Sequence, residues 1–188
     1  MGPKRLHAGG LRLAASRAFS TARQLARFLW PVHGGGVKGL VQRVSRAAVH
    51  VGDECTGAIG AGLFALIGVG HDDDERDAAL LADRMVGLRV FADPEGKMNL
   101  ALRDVGGSLL VVSQFTLMGD TRRGRRPSFV AAAAPERARQ LIERLIEEAR
   151  RLGVTVAAGR FGAHMDIDVR ADGPVTLLLD TKERRSDA

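Results

Sequence analysis

Two short runs limit what this chain can fold into. Leu63-Phe64-Ala65-Leu66-Ile67-Gly68-Val69 and Leu109-Leu110-Val111-Val112 carry no polar side chain and so have no face to turn toward water. Runs of this length read as strands buried in a sheet, the first of them central, because a surface helix would space its apolar residues three and four apart. Around them the pattern stays strand-rich. Residues 39–44 and 47–51 alternate or run apolar, and Gly52-Asp53-Glu54 supplies a turn, so a hairpin is expected. Further short strands are expected at 89–91, 154–156, 165–169 and 175–179.

Two helices stand apart from these strands. Asp72-Asp73-Asp74-Glu75 could be taken for a metal site, but acids ahead of an amphipathic segment are what a helix N-terminus attracts. The helix that follows spaces Leu80, Leu81, Met85 and Leu88 on one face. The second starts with Pro135 in its first turn, ends near Gly153, and lines up Leu141, Ile142, Leu145, Ile146 and Ala149. Many strands with two segregated helices predict an α+β fold in a single domain.

Charge and cysteine content narrow the function. The net charge of +6 suggests a nucleic-acid partner, yet six of the 28 basic residues (Lys4, Arg5, Arg12, Arg17, Arg23, Arg27) precede Val37, where no acid occurs. The remaining 22 basic residues are matched by 22 acidic ones, so the core is neutral and the high pI belongs to an appendage. Residues 1–36 are read as a basic, disordered arm, 37–182 as the functional domain and 183–188 as a polar tail. Three readings of the arm stay open: an organelle transit peptide, an RNA-binding arm, or an extension from an early start codon. Cys55 is the sole cysteine, which excludes a disulfide framework and a CxxC metal knuckle and suits a reducing cytoplasm. Between Glu54 and Thr56 in an expected turn it makes a poor nucleophile, since acidic neighbours raise a thiol pKa. No run approaches the roughly 20 apolar residues of a membrane span.

The chemistry gathers where two strand-like runs are interrupted. The run ending at Val112 closes in Ser113-Gln114-Phe115-Thr116, three side chains that can hydrogen-bond set around one aromatic, as in the lining of a pocket. Near the C-terminus Gly173-Pro174 precedes Val175-Thr176-Leu177-Leu178-Leu179, where proline removes a donor and glycine permits unusual backbone angles; a tight bend is expected. With Gln42-Arg43-Val44, Glu95-Gly96-Lys97-Met98-Asn99 and Gly124-Arg125-Arg126-Pro127-Ser128-Phe129, these strings resemble the D-aminoacyl-tRNA deacylase family of the D-tyrosyl-tRNA deacylase type, over residues 37–180.

That resemblance implies antiparallel or mixed β-sheets, sandwich-like or barrel-like, covered by two main helices, in a homodimer. It implies hydrolysis of the ester of D-aminoacyl-tRNA or mischarged glycyl-tRNA, in proofreading of translation, with no metal or organic cofactor. Ser113, Gln114, Phe115 and Thr116 would form the catalytic segment, with the Phe115 and Thr116 N–H groups as oxyanion donors at a strand end. Gly173 and Pro174, with Thr176 and Met165, would form a substrate-binding chiral filter, the Gly-Pro bond being cis and inserted into the partner's active site. Arg43 would lie close to that segment, a strand charge that needs a partner. By its own chemistry the cluster of Arg122, Arg123, Arg125 and Arg126 is suited to tRNA phosphates, a solvated basic loop being the alternative for each of them. One departure stands out: members usually carry Asn two residues before the glycine, and here that position is Ala171, with Asp172 as the nearest replacement. Chiral discrimination is the property this change bears on. A noncatalytic tRNA-binding module and a Thr116-dependent esterase of small esters are the rival readings.

Overall fold

The computed structural model describes residues 36–122 and 124–182. Arg123, the expected C-terminal tail and, apart from Gly36, the expected arm lie outside the described residues. The described elements are β1 (Lys38–Val51), β2 (Glu54–Ile59), β3 (Gly62–Gly68), helix α1 (Glu75–Val86), β4 (Phe91–Ala92), β5 (Met98–Leu100), β6 (Ser108–Ser113), a 3-10 turn (Phe115–Met118), α2 (Pro135–Arg151), β7 (Thr155–Ala158) and β8 (Asp166–Asp180).

β1 organises the sheet. β8 runs antiparallel along one of its edges. The other edge is divided, with residues 38–44 pairing β3 and residues 47–51 pairing β2, both antiparallel. β6 and β7 extend the sheet from β3 in parallel, giving the order β2-β1-β3-β6-β7 with β8 on β1. The two ends then approach each other, and a Cβ added to Gly57 of β2 would sit 2.6 Å from the Ala158 carbonyl oxygen of β7. The result is a nearly closed, barrel-like mixed sheet.

The two apolar runs owe their composition to burial on both faces. Leu63, Ala65 and Ile67 of β3, with Leu109 and Val111 of β6, pack in a core that includes α1 and α2. The alternate residues Phe64, Leu110 and Val112 pack with Val44, Ala47 and Val49 in a second cluster. Each of these valines, leucines, isoleucines and phenylalanines contributes about 1.5–3 kcal/mol by leaving water. In α1, Asp74 is the N-cap, accepting from the backbone N–H of Arg76 (2.8 Å) and Asp77 (3.1 Å), while the Asp77 carboxylate accepts from the Asp74 N–H. The middle acid, Asp73, is buried and accepts from the Gly70 N–H at 2.6 Å. The expected face of α2 is buried as read, and Glu148 beside it is held by Arg144 and Arg151. None of the described helices is long and apolar enough to cross a membrane.

Several expectations need correction. Residues 39–44 and 47–51 form one strand, and the hairpin lies between it and β2, so Cys55 sits in a strand instead of a turn. The segment at 89–91 is a strand only at Phe91–Ala92. Leu80 is exposed and Leu88 lies past the end of α1, whose buried side is Ala78, Leu81, Ala82, Met85 and Val86. The C-terminal runs belong to one 15-residue strand that begins at Asp166, leaving Met165 just before it.

Candidate active site

β6 delivers Ser113 to the edge of a cavity of about 350 Å³. The Gln114 N–H bonds to the Ile67 carbonyl at 2.7 Å, and the backbone then tightens into the turn Phe115–Met118. The expected strand end is thus a 3-10 turn. Its first N–H groups, those of Phe115 and Thr116, have no partner inside the turn, because such bonds reach back three residues. Gly68 makes room for it: a Cβ there would stand 2.8 Å from the Leu117 Cβ and 3.1 Å from the Gln114 carbonyl oxygen. The Gln114 amide donates to the Thr116 hydroxyl. Ser113, Gln114 and Phe115 line the cavity together with Ile67 and Val69 of the strand beside them, the start of α2, and Phe161. The walls are apolar apart from Ser113 and Gln114. Beyond Ser113 and Phe161 a recess of about 230 Å³ opens toward Arg139 and Glu143.

An arginine-bearing loop is pinned beside this mouth. Asp120 and Ser128 exchange two backbone hydrogen bonds, 2.8 and 2.9 Å, which close the segment between them. Phe129 then meets the Phe115 ring edge-on, centroids 5.1 Å apart. Arg122 folds back on Asp120, with Nε to Oδ1 at 2.9 Å and Nη2 to Oδ2 at 2.7 Å, a bond that raises the guanidinium pKa. Arg125 and Arg126 are exposed and have no ion pair among the described residues.

The second segment is a bulge on β8. Gln42 pairs Thr176 and Val44 pairs Ala171, so the single residue between them on β1, Arg43, faces the four residues 172–175. The Gly173-Pro174 peptide is cis, and both residues are exposed. Gly173 has φ +127°, and a Cβ there would lie 2.7 Å from the Val175 nitrogen. Arg43 fills the space under the bulge, its side chain 14% exposed. Its Nη1 donates to the Val90 carbonyl, and its Nε lies 2.9 Å from Asp172 Oδ2. That second contact is an ion pair and not an aligned hydrogen bond, since Nε is buried without a well-directed acceptor. The Thr176 hydroxyl accepts from the Gln42 amide at 3.2 Å, which gives the Gln42-Arg43-Val44 string two partners on β8.

The profile of the D-Tyr-tRNA(Tyr) deacylase family matches residues 40–180. The chain belongs to the D-aminoacyl-tRNA deacylase family. It is similar to the D-aminoacyl-tRNA deacylase of Roseiflexus sp. (strain RS-1), 57% identical over 145 residues that cover 77% of this chain and 94% of the relative. Another similar protein is that of Symbiobacterium thermophilum, 52% identical over 147 residues, 78% of this chain and 97% of the relative. Among solved structures, the c-Myc DNA Unwinding Element Binding Protein superposes with a TM-score of 0.71 at 36% identity, covering 76% of this chain and 97% of that one. A probable eukaryotic D-amino acid tRNA deacylase superposes at 0.67 with 18% identity, covering 77% and 98%, which speaks for the fold alone.

Within this deacylase chain the expected site residues fall into three places. Ser113, Gln114 and Phe115 line the cavity, with Thr116 joined to them through Gln114. Gly173, Pro174 and Thr176 lie on β8 and do not line that cavity in the same chain. Met165 packs on the second core cluster, its sulfur 2.7 Å from where a Gly159 Cβ would be. Sequence reasoning missed Phe161, Ala132, Ala133 and the start of α2 as cavity walls, because apolar residues of this kind carry no chemical signal. It also missed Phe129 as the ring that seats Phe115, although that residue closes one of the family strings.

Proposed function

We propose that the chain hydrolyses the ester joining a D-amino acid, or a misplaced glycine, to tRNA, and spares L-aminoacyl-tRNA. The observation that carries this reading is the cavity lined by Ser113 and Gln114 with the opening N–H groups of the Phe115 turn beside it, in a chain of the deacylase family. Water adds to the acyl carbon, the bond from that carbon to the ribose oxygen breaks, one proton of the water ends on the ribose oxygen, and the hydroxyl stays on the acyl carbon as an acid that releases its proton to solvent. Free amino acid and tRNA leave. An aminoacyl ester is already activated, so placement and oxyanion stabilisation outweigh the need for a strong nucleophile. The Phe115 and Thr116 N–H groups meet the charge that develops on the acyl oxygen, each such donor being worth about 3 to 4 kcal/mol in known acyl-transfer enzymes. Exposed Arg125 and Arg126 take tRNA phosphates.

Selectivity comes from Gly173-Pro174, delivered into the cavity of the partner subunit of a homodimer, where backbone crowds the face an L side chain would need. Two observations support this arrangement. The bulge is exposed and away from the cavity of its own chain, and among the described residues β8 pairs only β1 while presenting Ile167, Val169 and Leu177 to solvent. Action on a translation substrate agrees with work in the cytoplasm, the location we propose. A threonine nucleophile is disfavoured, since the Thr116 hydroxyl is bonded to the Gln114 amide, which cannot take up its proton.

The test is hydrolysis of D-aminoacyl, L-aminoacyl and glycyl esters on the same tRNA, with sedimentation to read the oligomer. Loss of the D and glycyl esters with the L ester spared, by a dimer, is expected. Binding of tRNA without turnover of any ester would favour the noncatalytic module instead. Equal loss of all three would leave a hydrolase and remove the filter.

A further inference from the structure

The string Glu95-Gly96-Lys97-Met98-Asn99 has no place in the cavity, yet it is firmly built. Asp93 closes its turn, with Oδ1 accepting from the N–H groups of Glu95 (3.0 Å) and Lys97 (2.9 Å), and its carbonyl accepting from Gly96 (2.9 Å). The β4–β5 hairpin so formed presents Asn99 to Arg89. The Asn99 carbonyl accepts from Arg89 Nε at 2.7 Å, and its side-chain oxygen accepts from Arg89 Nη2. Arg89 is thereby gripped at two points. The next residue along the chain, Val90, is buried and offers its carbonyl to Arg43 Nη1. Arg43 in turn reaches Asp172 at 2.9 Å, and its Nη2 lies 3.3 Å from where a Gly173 Cβ would stand. Polar contacts on either side of the Arg89–Val90 peptide therefore link an exposed hairpin, through Arg43, to Asp172 of the Gly-Pro bulge.

Physical need supports a role for both ends of this link. A guanidinium that is mostly buried requires partners on each side, and loss of one leaves a charge free to swing toward the other. The bulge lacks strand pairing at residues 172–175, so its position depends on side-chain contacts. Arg43 supplies those contacts, and Arg43 is itself held by the Val90 carbonyl and the Asp172 carboxylate.

We infer that Asn99 and Asp172 are positioning residues for the Gly173-Pro174 segment, acting on it from opposite sides through Arg43. The inference rests on the filter reading above. Neither residue touches the ester, so each changes selectivity and not the chemical step.

The experiment compares L-ester and D-ester hydrolysis in the full-length dimer for the native chain, Asn99→Ala, Asn99→Asp, Asp172→Asn, and the double variant Asn99→Ala/Asp172→Asn. The expected result is a rise in the L/D rate ratio of about threefold to tenfold for Asp172→Asn and a smaller rise for Asn99→Ala, the range for residues coupled to a site through intermediates. In Asn99→Ala the D-ester rate stays within about twofold of native, because only a hairpin contact is lost. Asn99→Asp, which keeps an acceptor for Arg89, restores the native ratio. The double variant falls short of the product of the single effects, since both act on one guanidinium. An unchanged ratio in both single variants, with thermal stability and dimer intact, overturns the inference while the filter stands. A native chain that does not itself discriminate overturns the filter reading and this inference together.

Discussion

Gly68→Ala tests whether the turn after β6 makes the site. The added methyl would meet the Leu117 Cβ at 2.8 Å, the Gln114 carbonyl oxygen at 3.1 Å and the Met118 sulfur at 3.4 Å. The first distance is shorter than real carbon contacts, which lie near 3.5–4.0 Å, so the turn must back away by on the order of 1 Å. Overpacking of that kind costs about 1–3 kcal/mol of stability, or roughly 2–4 °C of Tm per kcal/mol in a domain of this size. The effect on catalysis is larger in proportion, because the displaced backbone carries the Phe115 and Thr116 N–H groups. A misplacement of about 1 Å is enough for a loss of about a hundredfold in turnover. The assay pairs single-turnover hydrolysis of D-aminoacyl-tRNA with urea unfolding, and uses Gly106→Ala as control. Gly106 has φ +61° with open space around it, so alanine there strains the backbone by about 1–2 kcal/mol without pressing on the turn. Gly68→Ala with native turnover, or Gly106→Ala losing as much activity as Gly68→Ala, would refute the reasoning.

Thr116→Ala should keep turnover within about tenfold of native, since it removes a hydroxyl and leaves the backbone N–H; abolished single-turnover hydrolysis would instead mark a nucleophile. Arg125→Ala and Arg126→Ala should each raise KM for aminoacyl-tRNA with little change in kcat, and lower the slope of log affinity against log salt by about one, as read in a salt titration. At the start of α1, the backbone N–H groups of Asp77 and Arg76 hold the Asp74 pKa below its ordinary 3.8. A folded pKa below the unfolded one gives stability that is present above the unfolded value and is lost as pH falls through the folded one. Asp74→Ala should therefore lower the urea midpoint at neutral pH and flatten its decline below about pH 4. Asp73 has the opposite sign: burial chiefly raises its pKa, so its share is present at low pH and fades as pH rises through the folded value.

Much of the fold was legible because its strongest signals are local. Leu63 to Val69 read as buried on both sides, and the acids Asp72 to Glu75 marked a helix start, where the structure adds a capping box between Asp74 and Asp77. The turn Phe115–Met118 was not legible, since its shape is set by Gly68, 47 positions before Phe115 and on the strand beside it. β8 misled for a related reason. Gly-Pro punctuates a chain when read locally, yet β1 runs past it and continues the pairing at Ala171, so one long strand absorbs the interruption as a bulge. Arg43 announced that it needed a partner, and Asp172 is found there; that Val90 would be the other could not be read from a carbonyl every residue has. Met165 carried a role only through resemblance, and its described contacts are with core residues.

Rejection of one enantiomer by backbone sets a demand that a binding pocket does not face. A pocket that merely prefers its substrate can relax by a few tenths of an ångström and still bind, and one methyl group of difference is worth only about 1–3 kcal/mol in such a site. A segment that must clash with an L side chain fails if it can yield, so its stiffness is its selectivity. The segment proposed for that role here is the least paired part of β8, with one β1 residue facing four. Ala171 supplies no side-chain amide to brace it. Beside the Gln42–Thr176 bond, stiffness then comes from Arg43, whose guanidinium joins the Val90 carbonyl to Asp172. Because Asp172 is more than half exposed while the guanidinium is largely buried, the outer contact is the one that salt can weaken. Raising ionic strength should thus increase the L/D ratio of the native enzyme more than that of Asp172→Asn, which has no charge left to screen. A ratio equally insensitive to salt in both proteins would mean that the bulge is held by something other than this pair.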